Sequence, residues 1–161
     1  MDKLAFIESK IIGWEALEAT TSAWRLRGQR VAFSNGCFDI LHRGHVEYLA
    51  RAAEMADHLV VGLNSDDSVR RLKGPGRPVQ DERARAIVLA SLHWVSRVVV
   101  FGQDTPLELI LALRPDVLVK GADYRVEDIV GAKEVLSWGG QVRTVDLTQG
   151  YSTTNIINKT R

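Results

Sequence analysis

Short apolar runs recur along the chain at intervals that leave room for a helix between each pair. The runs over residues 30–34, 58–63, 97–101, 116–120 and 141–146 are rich in Val and Leu and show little polar alternation. A strand covered on both faces reads this way, so each run predicts a buried strand of a parallel sheet. Between the runs, apolar residues return with helical spacing. Val46, Leu49, Ala50 and Ala53 share one face; Ala86, Leu89, Ala90 and His93 share a second; Leu107, Ile110, Leu111 and Arg114 share a third. Val130, Lys133, Glu134 and Ser137 mark the polar side of a helix over residues 127–138, and a last short helix begins within 152–161. This alternation predicts an α/β fold: a Rossmann-like, doubly wound parallel sheet of about five strands with right-handed crossovers.

Two segments fall outside that rhythm. Residues 1–28 have helical character through Trp14, Leu17, Glu18 and Thr21, with Gly28 as the stop. They predict one added N-terminal helix, dividing the chain into an extension, 1–28, and a main domain, 29–161. Residues 73–79 contain Gly74, Pro75, Gly76 and Pro78 and cannot form a regular element. They predict a loop that carries Lys73 and Arg77, a candidate lid or phosphate clamp.

Composition narrows the class. With 161 residues, 45% hydrophobic and 25% charged, the chain is long enough for one real core. A net charge of +1 gives no electrostatic footprint for nucleic acid or a membrane surface. The single cysteine, Cys37, excludes an internal disulfide and suits a reducing compartment. The N-terminus lacks the apolar run of a secretory leader, and no apolar stretch is long enough to cross a bilayer. These features predict a cytoplasmic protein with neither nucleic-acid nor membrane partners.

The candidate chemistry lies where the first strand gives way to a helix, in "SNGCFDILHRGH". Ligands of open α/β sheets bind at the carboxyl ends of the strands. With a helix opening at Leu41 or His42, His42 and His45 share a face near its positive end, where unpaired N–H groups suit phosphate. Gly44 lets a flat ligand approach the backbone. Solvated loop histidines and a metal-binding pair are the alternatives; a third metal ligand is not evident, and no metal-ligating residue is assigned. Ser152, Thr153 and Thr154 offer a second set of donors at a helix start, or a plain cap. His58 and His93 read as packing residues, and Trp14, Trp24, Trp94 and Trp138 as core or interface anchors.

"NGCFDILHRGH" resembles the H-x-G-H signature of the nucleotidyltransferase superfamily, and "GYSTTNIINK" resembles its second phosphate motif. "VGLNSDDSVRRLKGPGRPV" and "RPDVLVKGADY" are similar to the matching stretches of bacterial heptose 1-phosphate adenylyltransferases. The resemblance spans nearly everything from residue 30 to 159. It implies transfer of AMP from ATP to D-glycero-β-D-manno-heptose 1-phosphate, with Mg²⁺ accompanying ATP, and a homodimer.

It further implies roles residue by residue. His42 and His45 stabilise the α-phosphate during transfer, and Lys73 reaches the phosphates. Asn35, Gly36, Phe38, Asp39 and Gly44 line the nucleotide pocket, with Asp39 fixing its loop. Lys120, Gly121, Ser152, Thr153 and Thr154 contact the nucleotide. Asn64, Asp66, Arg77, Asp123 and Tyr124 lie toward the sugar phosphate. Asp39, Asn64 and Asp66 also fit turn or cap roles. Three alternatives stand beside this reading: GTP as donor, a cytidylyltransferase-like enzyme with another phosphorylated acceptor, and a nucleotide sensor without turnover.

Overall fold

Alternate residues of the first strand are sent to opposite layers. Val31 and Phe33 pack with Leu17, Trp24, Leu109 and Leu113, whereas Ala32 packs with Leu49, Ala52 and Leu89. Both faces of the sheet are therefore covered over its inner strands, which explains why these are apolar without alternation. The computed structural model describes residues 2–161. Its strands are β1 (Val31–Gly36), β2 (His58–Asn64), β3 (Arg97–Phe101), β4 (Val117–Gly121) and β5 (Gln141–Val145). All pairings are parallel, in the order β3-β2-β1-β4-β5.

The helices are α1 (Lys3–Ser9), α2 (Trp14–Leu26), α3 (Arg43–Ala53), α4 (Asp66–Lys73), α5 (Glu82–Ser91), α6 (Leu107–Leu113), α7 (Ala132–Ser137) and α8 (Thr153–Lys159). α3 and α5 cover one face, and α2, α6 and α7 the other. The doubly wound sheet is as the sequence predicts, with strand ends shifted by a residue or two.

The N-terminal segment forms two helices where one is expected. Between them, Ile12 donates to Val98 (3.0 Å) and Val98 donates to Lys10 (2.9 Å), so this link lies parallel along the outer edge of β3. α2 ends as expected, with Gly28 in the left-handed region at φ 72°. Leu17 and Trp24 are core residues, and Trp24 stacks on His58 at 3.9 Å.

Three local expectations are corrected. The helix over 127–138 is broken into a 3₁₀ turn, Val126–Asp128, and α7, because Gly131 adopts φ 86° against the Ile110 side chain. The buried stripe of α6 is Leu109, Ile110 and Leu113, which leaves Leu111 exposed. His93 lies past the end of α5 and is exposed, so it is not a packing residue.

Candidate active site

The strand order reverses between β1 and β4, so the loops that follow these strands diverge and leave a cleft at their carboxyl ends. It measures about 600 Å³. The β1–α3 loop forms its floor. Phe38 there holds φ 45°, a left-handed conformation uncommon outside glycine, with its side chain buried.

His42 occupies the N-cap of α3, and His45 lies one turn on. Their rings stack at 3.8 Å with 23° between planes. Gly44 makes this possible: a Cβ there would meet Cε1 of His42 at 2.9 Å. The room that a side chain at 44 would need is thus taken by an imidazole, while Gly44 itself borders the cleft. The His42 backbone N–H donates to Nδ1 of His45 at 3.3 Å, which assigns the ring proton of neutral His45 to Nε2. Burial and the facing His42 ring push His45 down to about 4, with Ile40 acting weakly the other way. Burial lowers His42 too, and its Nδ1 is buried without a partner among the described residues. Both rings are therefore neutral at pH 7.

Behind the histidines, two buried groups brace the loops. The Asp39 side chain has no solvent exposure. It accepts from the backbone N–H of Val79 (2.9 Å) and of Gln80 (3.0 Å) and from Nε of Arg77 (2.7 Å). Burial works against its charge, but the Gln80 and Val79 N–H groups and the Arg77 guanidinium outweigh that and hold the carboxyl below its usual range. The guanidinium of Arg85, fully buried, donates to the carbonyls of Cys37 (2.7 Å), Asn64 (2.8 Å) and Gln80 (3.0 Å) and to Asp66 (2.8 Å). The loops after β1 and β2 and the 74–80 loop are tied to one cation.

Nearly every residue singled out from the sequence borders the cleft. Asn35, Gly36, Phe38, Asp39, His42, Gly44 and His45 do so from β1, α3 and the loop between them; Asn64 does so from the end of β2, and Lys73 and Arg77 from beyond it. Lys120 and Gly121 end β4, Asp123 and Tyr124 follow it, and Ser152, Thr153 and Thr154 open α8. Asp66 is the exception: its carboxylate points to Arg85 and does not border the cleft. Lys73 is the last residue of α4 and so has a helical base. Ser152 caps α8 by accepting from Asn155 (3.0 Å), and Thr153 docks that helix on the Ile40 carbonyl (3.2 Å). Burial lowers the pKa of Lys120, whose Nζ lies 5.5 Å from the Tyr124 ring centroid.

Sequence reasoning misses Tyr48, Tyr151, Leu147 and Asp104, which also line the cleft. Tyr48 shares a helical face with His45, three residues on, a signal that was available. Its hydroxyl bonds Ser34 (2.7 Å) and the Val119 carbonyl (3.0 Å), and burial raises its pKa to about 12.

The sequence profile described as Cytidylyltransferase-like matches residues 33–159, which include the histidine pair and the α8 threonines. The chain belongs to this family. Within the family, the chain is 57% identical to "Bifunctional protein HldE" of Paramagnetospirillum magneticum over 158 residues, 98% of this chain and 32% of that protein. It is 60% identical to the protein of the same name from Rhodospirillum rubrum, over 93% of this chain and 30% of that one. The chain thus spans about a third of the length of these relatives. Among solved structures it resembles a lipopolysaccharide core biosynthesis protein from Thermoplasma volcanium, with TM-score 0.61 and 27% identity over 78% of this chain and 100% of that one. It shares its fold with a pantoate-beta-alanine ligase from Francisella tularensis, at TM-score 0.67 and 13% identity, over 91% of this chain and 72% of that one.

Proposed function

We propose that the chain transfers AMP from ATP to D-glycero-β-D-manno-heptose 1-phosphate, releasing pyrophosphate and forming ADP-heptose, a precursor for the lipopolysaccharide core. The observation that carries the reading is the stacked His42–His45 pair at the start of α3, facing the cleft between β1 and β4. The kinship with HldE proteins and with a lipopolysaccharide core biosynthesis protein supports the choice of acceptor.

A phosphate oxygen of the sugar attacks the α-phosphorus in line. A P–O bond forms to that oxygen as the bond to the β-phosphate breaks, and pyrophosphate leaves with the electron pair. The attacking oxygen is already anionic, so no side chain has to remove a proton. Neutral imidazoles donate hydrogen bonds to the oxygens where charge builds up. Lys73, Lys120 and Arg77 hold phosphates, and Thr154 borders the same space. Mg²⁺ entering with ATP would supply positive charge beside the phosphates. Asp39 is consumed by its own loop, so Asp123, which makes no ion pair among the described residues, is the carboxylate that fits such an ion. The same reading places the protein in the cytoplasm as a homodimer, which sedimentation of the purified protein checks.

The test is pyrophosphate release with Mg²⁺, heptose 1-phosphate and each of ATP, GTP, CTP and UTP. Turnover confined to ATP is expected. Turnover with GTP alone would reassign the donor, and nucleotide binding without turnover would overturn the reading.

A further inference from the structure

The two flanks of the cleft differ in chemistry. On the β4–β5 flank, Tyr124, Leu147 and Tyr151 present flat or apolar surface beside Lys120, which suits a nucleobase. On the β2–β3 flank stand Asn64, Leu72, Lys73, Asp104 and Pro106. With the nucleoside on the β4–β5 flank and Thr153 and Thr154 of α8 left to the departing phosphates, the β2–β3 flank falls to the acceptor.

Asp104 is the carboxylate of that flank, in the link between β3 and α6. Its Oδ1 accepts from Nε of Arg71 at 2.8 Å, and the same guanidinium donates to the Gly102 carbonyl. Ser68 donates to the Gln103 carbonyl at 3.3 Å. Both residues before Asp104 are thereby tied to α4, and the carboxylate is oriented while its Oδ2 has no partner among the described residues. A carboxylate repels phosphate but accepts strongly from hydroxyls. On the same flank as Lys73, it suits a ligand with a phosphate at one end and neutral hydroxyls at the other.

We propose that Asp104 is a specificity-determining residue, whose free oxygen accepts hydrogen bonds from acceptor hydroxyls and so selects a polyhydroxylated phosphate. The proposal rests on the AMP-transfer reading. A site that bonds a substrate hydroxyl discriminates strongly against ligands that lack it. An ion pair with Arg71 that served only the surface would leave acceptor kinetics unchanged.

The experiment compares wild type with Asp104→Asn by steady-state pyrophosphate release, varying ATP and heptose 1-phosphate separately. Asn keeps the shape but turns one acceptor into a donor. The KM for heptose 1-phosphate should rise about ten- to hundredfold, the size expected for a hydrogen bond to a charged group. The KM for ATP should stay within about twofold, with Tm unchanged because the side chain is 75% exposed. An unaltered acceptor KM, or an equal rise in both KM values, overturns the assignment while AMP transfer stands. Wild-type protein that turns over no sugar phosphate overturns both.

Discussion

Two imidazoles stacked at 3.8 Å cannot comfortably both be charged, and here neither is at neutral pH. Replacing His42 or His45 by Ala should lower kcat roughly 10²–10³-fold, with smaller changes in KM for either substrate. Pyrophosphate release measures this, and an unchanged kcat in both variants would remove the pair from the chemistry. The same ring makes stability depend on pH. Burial holds His45 at about 4 in the folded protein, below the ordinary 6.5, so the unfolded chain binds the proton first. The neutral ring's full contribution is present above pH ~6.5, falls as the pH drops toward 4 and is flat below it. The loss is roughly 3 kcal/mol. Urea melts across that range should show it, and His45→Gln should flatten it. Asp39→Ala should destabilise the fold by about 3–5 kcal/mol, since it strands a half-buried Arg77 and two backbone donors; denaturant midpoints read that directly. The histidine pair was legible because both residues sit in one short stretch. Asp66 was misread because its partner, Arg85, lies 19 residues away and only the folded chain brings the two together.

Elements were legible wherever burial alone decides them. The strands β1 to β4 are covered on both sides, and an aliphatic run says so; β5, at the margin, keeps Gln141, Arg143 and Thr144 exposed. The 127–138 helix was overcalled because its break depends on a contact with another element. Gly131 sits at φ 86°, and a Cβ there would come within 2.6 Å of Ile110 on α6. Gly131→Ala should therefore lower stability by about 1–3 kcal/mol and reduce Tm in a thermal melt. α4 went unread as a helix because its eight residues carry few apolar positions. The cap expected in this stretch is Ser65, which accepts from Ser68 at 3.2 Å. Of the further cleft-lining residues, Asp104 and Leu147 come from links outside the motifs, and nothing local in the sequence marks them as facing the histidines; Tyr151 stands within the second motif, beside the serine and threonines that draw the attention.

At the scale of the whole molecule, the helices before β1 are built into the core. Leu17 and Trp24 fill the layer beside α6, and the Trp14 indole donates to the Val100 carbonyl at 2.9 Å. A chain beginning at residue 29 is expected to lose cooperative unfolding in circular dichroism melts; a sharp two-state transition would mean that 29–161 is a self-sufficient domain. The Lys10–Ile12 link has a consequence for assembly. Lying along β3, it blocks one margin of the sheet, while β5 pairs only with β4 among the described residues. A sheet open at both margins can add copies without end. With one margin stoppered, strand-to-strand joining through β5 terminates at two copies, so the fold carries its own guard against fibre growth.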